Sequence, residues 1–204
     1  MTETRPQLWI VAGPNGVGKT TYAFRYIRAV SGSASFVNLD EIARGLSPLD
    51  PSGEQRRSAR VALDLTRSLI AEHRSFSLET TLSGRTHLMT VAAARREGFL
   101  VNLLFFLVAS PEVSLTRIAR RVSEGGHDVA EADVRRRFAR AIANLPSYIG
   151  QVDHWRVFDN ATLKPRVVAE GRRACVALTE PTETLPKELW AALATLPPCL
   201  EIPA

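Results

Sequence analysis

Sulfur, aromatic rings and long apolar runs are all scarce in this chain. Its two cysteines, Cys175 and Cys199, stand far apart and form no Cys-x-x-Cys pair, and its four histidines, His73, His87, His127 and His154, are scattered. That spacing excludes a zinc-centre pattern and predicts two free thiols in a reducing compartment. No apolar run reaches membrane-spanning length without a charge, which excludes a transmembrane helix. Residues 1–6 show no apolar signal region, so a cytoplasmic protein is the expectation. Internal repeats are absent. What remains is ordinary globular material: 204 residues, 45% hydrophobic and 23% charged, enough for one domain with a full core and too few for two large ones.

The net charge of +5 is modest but concentrated. Arg117, Arg120, Arg121, Arg135, Arg136, Arg137 and Arg140 fall within one stretch, and Phe138 is the only ring among them. Without stacking rings, single-strand nucleic-acid binding is poorly supported. A phosphate-facing lid explains the cluster better, with some of these arginines lying on solvated helix faces.

The phosphate argument comes from Gly13-Pro14-Asn15-Gly16-Val17-Gly18-Lys19-Thr20, which fills every position of G-x-x-x-x-G-K-[ST], the Walker A pattern. The apolar run Leu8–Ala12 before it reads as a buried strand, and the segment from Thr20 and Thr21 to Ile27 turns helical. Strand, glycine loop and helix in direct succession let successive amides point at one anion, to which the helix N-terminus adds partial positive charge. Lys19 is expected to reach the β- and γ-phosphates of a nucleoside triphosphate, and the Thr20 hydroxyl to sit on Mg²⁺. The competing reading is a glycine-rich turn without a ligand.

Strand-like and helical segments alternate along the rest. Strands are expected at 8–12, 35–39, 76–79, 100–108 and 155–159, and helices at 19–30, 54–72, 85–97, from Pro111, and at 130–144. In the helix over 54–72, Val61, Ala62, Leu65 and Leu69 share one side. Leu163–Ala177 is read as a late helix, interrupted by Pro165 and Gly171. The expected fold is α/β: a P-loop three-layer sandwich around a mostly parallel five-stranded sheet. One domain is expected over residues 1–178, with the arginine-rich lid at about 112–146. A proline-rich appendage is expected over 179–204.

Ligands of such sheets bind at the carboxyl ends of the strands. That rule gathers the loop, Asp40, Glu79-Thr80-Thr81 and Ser110 on one rim. Asp40 is placed to take a proton from an attacking hydroxyl, or to cap the helix that follows. Glu79, Thr80 and Thr81 suit a hydroxylated substrate, the Mg²⁺ shell or a plain strand-to-loop junction. No apolar strand ending in Asp supplies a standard second magnesium motif, so that role falls to Glu79 or Asp40. Arg120 and Arg121 are the favoured cations for the transferring phosphoryl group, with Arg117, Arg136 and Arg137 in reserve, and Gly125-Gly126 supplies a break for lid closure.

The phosphate loop, Asn38-x-Asp40-Glu41-Ile42-Ala43, Glu79-Thr80-Thr81-x-Ser83, and Gly125-Gly126-His127-Asp128-Val129 followed by Arg135-Arg136-Arg137-Phe138 together resemble the zeta-toxin family of P-loop kinases. The resemblance spans about residues 7–160. It implies an ATP- or GTP-dependent kinase that phosphorylates the 3′-hydroxyl of UDP-N-acetylglucosamine and so depletes a cell-wall precursor. It makes Lys19 and Thr20 the triphosphate and metal residues, Asp40 the general base, Glu79 and Thr81 sugar contacts, and arginines near Arg120 the phosphoryl stabilisers. It also implies a small antitoxin, expected here as a separate chain. The lid segment follows a Gly-Gly-His variety, in which His127 or Arg136 takes the place of the second lid arginine. A different class of function, an NTP-hydrolysing regulator or nucleic-acid-associated ATPase, rests on the arginine cluster alone.

Overall fold

The structure, a computed structural model, describes residues 5–126, 128–162 and 164–199, with the backbone alone at Val30. Strand β1 (Gln7–Ala12) leads through the glycine loop into α1 (Lys19–Tyr22), which continues as a π-helical turn (Ala23–Ile27) and α2 (Arg28–Ser31). Then come β2 (Phe36–Val37), α3 (Leu39–Leu46), a 3₁₀ turn (Pro51–Glu54) and α4 (Gln55–Ala71). Next are β3 (Phe76–Thr80), α5 (Thr86–Arg96) and β4 (Leu100–Leu107). The arginine-rich helices α6 (Pro111–Ser123) and α7 (Glu131–Ile149) precede β5 (His154–Asp159). The chain closes with β6 (Arg166–Arg172), β7 (Cys175–Thr179) and α8 (Lys187–Leu193).

The sheet order is β2-β3-β1-β4-β5-β6-β7, parallel from β2 to β5. β1 and β4 therefore occupy the middle, and their apolar runs are shielded on both faces: Leu8, Ile10, Val11, Leu103, Phe105 and Phe106 are all fully buried. From β1 the chain moves to one edge of the sheet and returns to β3; it then crosses to β4 on the other side of β1. That reversal opens a crevice beyond the carboxyl end of β1.

Three expectations need correction. The sheet has seven strands, not five, because 164–177 is no helix: β6 and β7 form an antiparallel hairpin on β5; Leu163, where that helix was expected to start, lies outside the described residues. Val167 and Val168 favour extended backbone, and Gly171 is required where any Cβ would collide with the Cys175 carbonyl and the Trp155 ring. Second, the hairpin carries Cys175 to the tail, where it forms a disulfide with Cys199 in place of two free thiols. The Cys199 amide donates to the Val176 carbonyl (2.8 Å), which holds the tail along β7. Third, α4 is turned relative to its apolar stripe. Ser58, Ala62, Thr66 and Leu69 are buried, whereas Val61 and Leu65 are exposed. The buried hydroxyls are satisfied within the helix, Ser58 donating to the Gln55 carbonyl and Thr66 to that of Ala62, so their burial leaves no unpaired polar group.

Residues 179–199 pack against the same core through Leu185, Leu189 and Leu193. Among the described residues no helix is long and apolar enough to cross a membrane.

Candidate active site at the carboxyl ends of the strands

The loop between β1 and α1 is shaped by close backbone approach. Gly13, Gly16 and Gly18 all have positive φ. A Cβ on Gly13 would strike the Phe106 carbonyl, and one on Gly16 would lie 2.6 Å from that of Ser114. Val17 is buried in the core, and its carbonyl accepts from Asn160 Nδ2 (2.5 Å). Anchored from β4, α6 and the end of β5, the loop is held curled before any anion arrives. Thr21 faces outward on α1.

Lys19 is buried, and its Nζ donates to the Pro14 carbonyl at 2.7 Å, curling back over its own loop. Burial lowers its pKa; the carboxylates of Glu79 and Asp40 oppose that shift, while Arg121 and Arg137 add to it. Among the described residues, the one carboxylate in ion-pair range is Glu79, at 3.9 Å. A buried ammonium with so distant a counter-charge is left short of anion, and phosphate oxygens would supply it.

Glu79 is the hub of the polar cluster. Thr20 Oγ1 donates to its carboxylate (2.9 Å to the nearer oxygen) and Asn38 Nδ2 donates at 2.8 Å. Burial raises its pKa, against the pull of Lys19, Thr20 and Asn38. Because the Thr20 proton is committed to Glu79, the hydroxyl lone pairs are free for a cation. Among the described residues no cluster of three His, Cys, Asp or Glu exists. An oxygen-only pair of hydroxyl and carboxylate instead fits Mg²⁺, which completes its shell with water and substrate phosphate.

Asp40 lines the same cavity, of about 450 Å³, as Lys19, Glu79, Thr80 and Thr81. Asn38, not Asp40, caps α3: its Oδ1 accepts from the amides of Asp40 and Glu41. The Asp40 carboxylate is thereby left to the cavity. An Asn one residue ahead of Asp40-Glu41, at the head of a helical run, is a capping signal the sequence carried. The far wall consists of Ser52 in the 3₁₀ turn, Gln55 and Ser58 on α4, Ser83, and His87 on α5. Ser83 falls in the Glu79-Thr80-Thr81-x-Ser83 motif; no sequence pattern singles out the others, because they come from separate segments.

The arginines divide sharply. Arg136 and Arg137 on α7 line the cavity; Arg137 reaches Asn15 of the loop (3.3 Å) and pairs with Asp133, as Arg136 does (2.8 Å). Arg121 on α6 is close enough to Lys19 for its charge to be felt there. Arg120, one of the favoured pair, lies outside the cavity in an exposed ion pair with Glu124. Arg117 is a brace, its Nη2 donating to the carbonyls of Asn160 and Ala161 (2.9 Å each). Arg135 bridges Glu112 and Glu131 on the surface. Gly126 is pinned, its amide donating to the Arg121 carbonyl (2.8 Å). His127 lies outside the described residues.

An α/β P-loop fold with this rim defines the class, and comparison places the chain within it. Residues 8–144 match the AAA domain family, to which the chain belongs. An uncharacterized protein of Haemophilus influenzae is 32% identical over 143 residues, which span 66% of this chain and 99% of that one. A chain of the PezAT chromosomal toxin-antitoxin system of Streptococcus pneumoniae superposes with a TM-score of 0.65 at 15% identity, covering 82% of this chain and 72% of that one. The AvrRxo1-ORF1:-ORF2 complex with ATP gives 0.67 at 18% identity, covering 99% and 67%. Both likenesses are of fold: the α/β P-loop architecture expected from the motifs recurs in these two structures.

Proposed function

We propose that this protein is a kinase that transfers the γ-phosphoryl group of ATP or GTP to a hydroxyl of a small molecule. The observation that carries the reading is the convergence of Lys19, Thr20, Glu79 and Asp40 on one cleft. The loop amides and Lys19 bind the β- and γ-phosphates. Thr20 and Glu79 would hold Mg²⁺, which would supply charge neutralisation for phosphoryl transfer. Asp40 accepts the proton of the acceptor hydroxyl as its oxygen attacks phosphorus and the bond to the nucleoside diphosphate breaks. Arg137 and Arg121 offset charge on the transferring group. Glu79 is assigned to the metal in preference to the sugar, because Thr20 and Asn38 already hold its carboxylate.

For the acceptor we favour UDP-N-acetylglucosamine at its 3′-hydroxyl. The resemblance to zeta toxins supports this, as does a far wall rich in hydroxyl groups. A separate antitoxin chain is the partner proposed, since PezAT is a toxin-antitoxin system. The nucleic-acid reading loses support because Arg120, Arg135 and Arg136 are already paired with carboxylates. Mass spectrometry of a metabolite pool incubated with protein, ATP and Mg²⁺ is the test. Gain of one phosphoryl group on a nucleotide sugar is expected, whereas ATP loss stimulated by DNA or RNA without a phosphorylated metabolite overturns the reading.

A further inference from the structure

His87 is a polar group of the cleft to which phosphoryl transfer gives no task. It lies in the first turn of α5 and lines the cavity with Thr81, Ser83 and Arg136. Among the described residues, three buried side-chain atoms lack a hydrogen-bond partner: Ser77 Oγ, Ser114 Oγ and His87 Nδ1. Only His87 belongs to the cavity wall. Its mounting is rigid. The Tyr148 hydroxyl donates to the Gly84 carbonyl (2.8 Å) and Asn144 Nδ2 to that of Leu82 (2.9 Å), which ties the turn before α5 to α7.

The ring's protonation follows from this setting. Burial lowers the His87 pKa below its ordinary 6.5, so the imidazole is neutral near pH 7 with one N–H. An orphaned buried N–H is rarer than an under-satisfied buried acceptor. Nδ1 is therefore assigned the lone pair, and the proton is assigned to Nε2, which is not among the buried unpartnered atoms. A fixed, uncharged donor thus opens into the cleft.

We infer that His87 is a specificity-determining residue for the phosphoryl acceptor, its Nε2–H donating to an uncharged oxygen of that molecule: a hydroxyl, a ring ether or an amide carbonyl. The inference rests on the kinase reading for what the cleft holds. It divides the labour within the cleft: Asp40 serves the reacting hydroxyl, the arginines serve phosphate, and His87 reads a neutral oxygen that fixes which hydroxyl is presented.

Equilibrium binding of UDP-N-acetylglucosamine, followed by calorimetry, tests this without requiring turnover. H87L should weaken binding about tenfold, the value of one lost neutral hydrogen bond. H87Q, which restores an N–H donor, should recover most of the loss. ATP affinity and thermal unfolding, measured on the same variants, report whether the fold is intact. Equal affinity in all forms, or no binding by the wild type, overturns the inference, as does parallel loss of ATP and sugar-nucleotide binding in H87L. His87-dependent binding without any phosphoryl transfer would instead defeat the kinase reading and leave the inference standing.

Discussion

The two walls of the cleft are built by opposite means. The loop wall is one contiguous segment, Gly13–Thr20, in which the backbone does the work and glycines are required by carbonyls pressed against them. The far wall is a mosaic of side chains from α3, the 3₁₀ turn, α4, the end of β3, α5 and α7. On the proposed kinase reading, the backbone wall would bind what every nucleoside triphosphate shares, and the side-chain wall would decide what is phosphorylated. Damage to the first should abolish chemistry with any acceptor, and damage to the second should change preference.

The largest effect expected is for Lys19→Ala, which removes the only lysine of the loop wall. Turnover with any acceptor should fall by about 10³-fold or more, as read by release of nucleoside diphosphate. Near-normal activity would remove Lys19 from the mechanism.

A second prediction sets two arginines against each other. Arg137→Ala should lower kcat by roughly 10²-fold, because Arg137 reaches the loop through Asn15. Arg120→Ala should change kcat by no more than about twofold, because its pair with Glu124 is solvent-exposed. Equal losses would show that α6 supplies the phosphoryl contact through Arg120 after all.

These two arginines also show where sequence stops being informative. Both lie in one basic stretch, and nothing in composition ranks them; the turn of each helix decides which one meets the loop. Arg117 fits the lid as well as any on paper and is a brace in fact. The curl of the loop, by contrast, was legible in full, because a contiguous pattern encodes its backbone geometry. Asp40 and Glu79 were legible through the rule of strand ends. Asn38 was missed although its capping signal was present, and His87 was passed over as one scattered histidine. The five parallel strands were readable from apolar runs. The β6–β7 hairpin was not, since Gly171 and Pro165 break a helix and a strand pattern alike, and the disulfide needed the hairpin in place first.

A smaller effect is expected from pH. Burial raises the Glu79 pKa and lowers that of Lys19. Binding of Mg·ATP requires the Glu79 carboxylate ionised and Lys19 protonated. Affinity should therefore fall on the acid side at a pH above the ordinary carboxylate range, and on the basic side below the ordinary lysine range. Calorimetry between about pH 5 and pH 10, corrected for titration of the nucleotide, should give a window narrower than unperturbed groups would allow. A flat profile across that range contradicts the burial argument.

The central claim is that Asp40 faces a bound triphosphate and deprotonates an alcohol. Rapid-quench measurement of phosphoryl transfer by Asp40→Asn, with ATP affinity measured on the same protein, tests it most directly. The account predicts a kcat reduced by about 10²–10⁴-fold with ATP affinity preserved. An unchanged kcat, or a loss wholly explained by weaker ATP binding, would contradict it.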